Sequence, residues 1–167
     1  GPARMVTLSG GSSERNFTLG QEGDKVDVRL RTIKTSGNGI PSLNSPDRSL
    51  APRLTHIVYT RNRGGRARLF LNGKQQAEKR VPGAMANWNG RYRLALANEL
   101  SSQRPWLGTF HLVAIYSRDL SVGEVTQHFK AGVNARSTGA QLATRKQSAK
   151  EQFFDREIAP LLSRHCL

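Results

Sequence analysis

Cysteine is almost missing from this sequence: Cys166, next to last of 167 residues, stands alone, so no disulfide can close within the chain and thiol usage fixes no redox compartment. Long apolar runs are missing too. No stretch approaches the roughly 18 consecutive apolar residues of a membrane-crossing helix, and no charged-then-apolar leader opens the chain. Acids are scarce, 12 against 26 lysines and arginines, which leaves a formal net charge of +14 and a pI near 11.2. A glycosidase generally needs a pair of carboxylates flanking the scissile bond. None is found: Asp24 and Asp27 fall on opposite sides of one predicted strand, and Glu78 stands by itself. His56, His111, His128 and His165 show no metal-ligand spacing, and the scattered acids assemble no oxygen cage for calcium. Neither a phosphate-cradling glycine loop nor a nucleophile elbow occurs. Hydrolysis, metal chemistry and nucleotide chemistry are thereby disfavoured, and binding is left.

What the chain has in plenty is positive charge and alternation. A strongly positive surface attracts polyanions of any kind, whether nucleic acid, anionic lipid or sulfated and carboxylated polysaccharide, and does not choose among them. Residues 25–32 are the cleanest amphipathic strand, with Val26, Val28 and Leu30 on one side and Asp27, Arg29 and Arg31 on the other. Further strands are predicted at 4–9, 16–21, 54–61, 66–71, 74–81 and 92–98. Gly-Gly-Ser-Ser, Asn62-Arg63-Gly64-Gly65 and Asn72-Gly73 supply the turns between several of them. Residues 36–53 are rich in Gly, Asn, Ser and Pro and read as an irregular loop. Many short strands with turns between them predict an antiparallel sandwich.

Residues 107–132 carry the strongest local pattern. Phe110, Leu112, Ala114 and Tyr116 alternate with His111, Val113, Ile115 and Ser117, which predicts a long, well-buried strand. The period then changes. Ser121 and Glu124 have the spacing of a capping box, Val125 and Phe129 share one helical face, and Gly132 is placed to stop the helix.

The Y-S-R-x-L-S-x-x-E-V-x-x-x-F-x-A-G run, with R-L-F-L-N-G some way upstream at residues 68–73, resembles the closing half of a laminin-G-like, concanavalin A-like jelly-roll domain. The resemblance implies an all-β antiparallel sandwich with a short capping helix over residues 1–133; a C-terminal helical extension is expected beyond it from the pattern of 151–167. It also implies that 36–53 lines the rim of a sheet where glycans bind. The acidic residue that relatives often carry early in the last strand is replaced here by Thr109, Phe110 and His111. Gly1-Pro2 reads either as the scar of a cleaved tag or as native sequence opening an interior strand. The second is the expectation, with the jelly roll N-terminally incomplete.

Past Gly132 the composition shifts. Residues 134–150 are basic and lack apolar period, and read as a solvated linker. In 151–167, Phe154, Ile158 and Leu161 or Leu162 lie on one side of a helix interrupted by Pro160. This ending resembles the first helix of a planctomycete-type cytochrome c domain, in which such a helix precedes a C-x-x-C-H haem site. By that resemblance Cys166 is the first of two haem-linking thiols, provided that the chain continues; His165 precedes it and is not the iron ligand. The resemblance implies covalent haem c in a longer protein and a periplasmic or cell-surface setting; no cofactor is expected in the given residues, and the electron partner is unidentified.

For ligand contact, Trp88 between Asn87 and Asn89 offers an aromatic platform with amide donors that suits a sugar ring, and Trp106 after Pro105 is a second platform. Each tryptophan equally suits a plug at one end of the core. Arg29, Arg31, Arg61, Arg63, Arg66 and Arg68 fall on adjacent predicted elements, as a basic face or as ordinary solvated surface. The expected function is a non-catalytic binding or adhesion module for a glycan, an anionic one by charge, in an exported haem protein. Two readings from other classes stand beside it: a basic nucleic-acid-binding module, and a structural spacer that binds neither.

Overall fold

A computed structural model of the chain describes residues 1–134, the side chains of 133 and 134 excepted. The linker and helix read at 134–167, with Cys166, fall almost wholly outside the described residues. The strands are β1 (Ala3–Ser9), β2 (Arg15–Glu22), β3 (Lys25–Leu30), β4 (Leu43–Asn44), β5 (Ile57–Arg61), β6 (Arg66–Leu71), β7 (Lys74–Arg80) and β8 (Arg93–Leu96). One helix, α1 (Val122–Asn134), follows among the described residues. It is too short and too polar to cross a membrane. Antiparallel pairing sets the strands in a five-stranded sheet of order β4-β3-β2-β1-β8 and a three-stranded sheet of order β5-β6-β7.

Alternation explains how the sheets stack. Val26, Val28, Leu30 and Leu43 from the first sheet bury against Ala67, Leu69, Leu71 and the nearby Val81, and Phe17, Leu19, Ile57 and Tyr59 pack around them. Phe17 and Tyr59 meet across the layer with ring centroids 5.8 Å apart. The opposite side of β6 presents Phe70, which is covered by Leu120 and by Val125 of α1. The helix starts as its sequence dictates: Ser121 N donates to Glu124 Oε2 at 2.8 Å and Glu124 N donates to Ser121 Oγ at 3.2 Å. Gly132 does not stop it, for α1 runs on to Asn134. Asn72 and Gly73 take φ of 51° and 77°, the left-handed pair that the tight β6–β7 hairpin needs.

Residues 107–117 depart from expectation. They form no strand, and no backbone hydrogen bond joins them to another described residue. Leu107, Leu112 and Ile115 are 94%, 82% and 73% exposed. Alternation selects which side of a strand would be buried, but only a partner edge makes a strand by satisfying its amides and carbonyls. None of the described strands lies alongside this segment. The loop at 36–53, conversely, contains the two-residue β4, which is too short to leave a period in the sequence.

Candidate binding face

The outward face of the five-stranded sheet is polar and deeply packed. Two cross-strand rows define it. In one, Arg29 lies opposite Thr18, Thr18 opposite Thr7, and Thr7 opposite Ala95; in the other, Asp27 lies opposite Gly20 and Gly20 opposite Arg4. Arg4, Thr7, Arg15, Thr18, Asp27 and Glu99 are all at most 2% exposed.

Two register irregularities between β1 and β2 build this face. Arg4 pairs with Gly20 but Val6 pairs with Leu19, so Met5 is an extra residue on β1. Leu8 pairs with Phe17 but Ser9 pairs with Arg15, so Asn16 is an extra residue on β2. Each extra residue reverses the alternation beyond it. Strict alternation would place Arg4 with Val6 and Leu8, and Arg15 with Phe17 and Leu19, all toward the core. The bulges turn both guanidinium groups outward to Asp27 and Arg29. Asn16 is itself pinned, its Nδ2 donating to Asn89 O at 2.9 Å and its Oδ1 accepting from Asn89 N at 3.0 Å.

Ion pairing across the face is incomplete. Arg29 Nε donates to Asp27 Oδ1 at 2.8 Å, and Arg4 Nε donates to Glu99 Oε2 at 3.4 Å. Arg4 Nη1 also reaches Pro2 O at 2.9 Å, while Ser101 Oγ holds the other oxygen of Glu99 at 2.9 Å. Among the described residues Arg15 has no carboxylate partner: its Nη2 donates to Ser12 O, its Nη1 reaches Thr18 Oγ1 at the long distance of 3.5 Å, and its Nε is unpartnered. Burial first, and then the charges of Arg4 and Arg29, pull the Arg15 guanidinium down to about 10; Glu99 and Asp27 oppose this more weakly. Arg4 is lowered as well, mainly by burial, with Glu99 opposing.

The residues that the sequence nominates do not gather at one place. Trp88 packs against the core and its Nε1 donates to Arg31 O at 2.7 Å, so it plugs the sandwich and offers no open platform. Asn87 Nδ2 donates to Thr32 O at 3.0 Å and Asn89 serves Asn16, which makes both amides loop anchors. Trp106 is half-buried, its Nε1 donating to Gln21 Oε1 at 2.9 Å and its ring 4.9 Å from that of Phe110. Arg29 lies on the polar face, and Arg31 just beyond β3 gives its carbonyl to Trp88. Arg66 and Arg68 lie on the outward side of the other sheet, across the core. Arg66 is paired with Glu78 at 2.8 Å, and Arg68 lies 3.9 Å from Asp119 with its guanidinium over Phe70. Arg61 donates to Val81 O and Gly83 O, tying down a loop. The arginines therefore make no single basic face. Arg4, Thr7, Arg15, Thr18 and Glu99 were not nominated, because their grouping depends on bulges and on a loop returning from residue 99.

A sequence model described as concanavalin A-like lectin/glucanases superfamily, of laminin-G type, matches residues 1–126. Among solved structures, the chain is similar to residues 221–444 of an S-layer domain-containing protein from Clostridium thermocellum ATCC 27405, at 16% identity and a TM-score of 0.36. That alignment covers 74% of this chain and 60% of the other. No curated protein matches.

Proposed function

Because the chain belongs to the concanavalin A-like lectin/glucanase superfamily, we propose that it is a carbohydrate-binding module whose ligand face is the outward side of the five-stranded sheet. The observation that carries this is the layer of guanidinium, hydroxyl and carboxylate groups around Arg15 and Thr18 on that side, where Arg15 Nε has no partner among the described residues; the layer is at most 2% exposed, so a ligand reaches it by displacing a present partner such as the Ser12 carbonyl. Polar groups in fixed rows are what saccharide hydroxyls and acids pair with, and a sheet is rigid enough to hold them in place. A non-catalytic role is supported by the state of the two carboxylates there. Asp27 is paired with Arg29 and Glu99 with Arg4, so each carboxylate serves as the partner of a guanidinium on the face.

We place the module on an exported or surface protein, which is the setting where glycans are met. Attachment of haem at Cys166 is a separate proposal that rests on the sequence pattern of 154–166 alone. The given residues supply one thiol of the two required and no following histidine, so no step is assigned to haem. Intact mass and a haemochrome spectrum of the full-length protein test it.

The glycan reading is tested by titrating the chain with a panel of neutral, uronic-acid and sulfated oligosaccharides by calorimetry. Micromolar to millimolar affinity for at least one class, with no reducing ends released, is expected. Silence across the panel would discard the reading in favour of a spacer.

A further inference from the structure

The polar face holds three buried or nearly buried guanidinium groups and two carboxylates, and each carboxylate is already taken. Arg15, 1% exposed, is the cation on this face left without a carboxylate among the described residues. A buried charge with no counter-ion is among the most costly arrangements in a folded protein, and it is normally relieved by a partner or a bound ion. A guanidinium carries five donors that suit the paired oxygens of an oxyanion. Here Nε is unpartnered, Nη1 makes one long contact, and Nη2 rests on a backbone carbonyl that supplies no full negative charge.

We propose that the outward face of the five-stranded sheet is a site for a sulfate or carboxylate group, held by Arg15 as its missing counter-ion. Arg4 and Arg29 add positive field, and the Thr7 and Thr18 hydroxyls, 3.1 Å apart, lie beside it. The Ser12 carbonyl is the present occupant of Nη2 and sits in the loop between β1 and β2. That loop is anchored at Gly10, against the Tyr92 ring, and faces open space at Gly11, where an added Cβ would meet nothing within 4 Å. Its withdrawal would hand the Nη2 and Nε pair to one anion, a two-pronged contact that a surface lysine cannot copy. Arg31 and Arg68 also leave Nε without a partner, but neither is as deeply buried, and Arg68 has Asp119 near it.

The site rests on the glycan reading only for the source of the anion, so the experiment separates the two. The full chain is melted in low-millimolar sodium sulfate and in sodium chloride at equal ionic strength, and is titrated with a sulfated, a uronic-acid and a neutral oligosaccharide. Expected are a saturable rise in melting temperature with sulfate, tighter binding of the acidic saccharides than of the neutral one, and a loss of about tenfold or more in both effects in Arg15→Met. Arg15→Lys, which keeps the charge and loses the fork, should fall between. Sulfate stabilisation that depends on Arg15, without binding of any saccharide, would uphold the anion site and overturn the glycan reading. Saccharide binding that is indifferent to Arg15→Met would overturn the anion site and leave the glycan reading standing. No saturable sulfate effect on the unaltered chain overturns the site even if neither variant folds.

Discussion

Glu124 shows how much one side chain can set at the surface. Its carboxylate accepts from Arg118 Nη1 at 3.0 Å and from Ser121 N at 2.8 Å, and Ser121 Oγ in turn caps its amide. The Arg118 hydrogen bond, with the Ser121 bonds behind it, holds the carboxyl at about 2, below the ordinary 4.5. A carboxyl depressed in the folded state stabilises it above the unfolded pKa, and that contribution is lost as pH falls from about 4.5 through about 2. Thermal melts of Glu124→Gln should therefore show a lower melting temperature than the parent at neutral pH and a gap that narrows as acid is added. An unchanged gap would mean that the cap contributes nothing through its charge. This device was legible from Ser121 and Glu124 because a capping box is local, three residues from end to end. Arg15 was not legible. Its side is decided by the extra residue Asn16 and its lack of a partner by loops distant in sequence, and neither leaves a period to read.

At the scale of elements, residues 107–117 and β6 make a controlled comparison, since both alternate and both are rich in strand formers. β6 has β5 on one side and β7 on the other, and its Leu69 is fully buried. The 107–117 segment has no paired edge, and its Ile115 is 73% exposed. Leu69→Ala should cost about 2–5 kcal/mol through lost transfer energy and a cavity, whereas Ile115→Ala should stay within about 0.5 kcal/mol. Urea denaturation of the two variants measures both. A loss of about 2 kcal/mol or more at Ile115 would show that the segment is buried as a strand, as its sequence pattern predicts. Seven of the eight described strands, all but β4, fall where the pattern predicts them, from the amphipathic β3 to the strands of the Asn72-Gly73 hairpin, although β1 and β2 break their alternation at two bulges. The pattern reads faces well and partners poorly, because pairing is a property of two segments and the period belongs to one.

Over the whole molecule, the question is whether a net charge of +14 makes this a nucleic-acid binder. Among the described residues the positive charge is not gathered on one side. Arg66 is spent on Glu78, Arg118 on Glu124 and Lys25 on Asp47, and the outward arginines divide between opposite sides of the sandwich. A polyanion laid on one side would meet only part of the charge. Duplex DNA bound through a few such exposed contacts should lose roughly one to two decades of affinity for about a fourfold rise in salt, because its binding is counterion release. An anion seated on buried Arg15 is screened far less. Titrations of the full chain with duplex DNA and with a sulfated oligosaccharide of matched charge density, each at two salt concentrations, should therefore diverge. DNA binding should collapse while the saccharide keeps most of its affinity. Equal slopes would mean that the saccharide too is held only by the surface field. A DNA affinity that exceeds the saccharide's at the higher salt would transfer the binding face to nucleic acid, and with it the meaning of the charge.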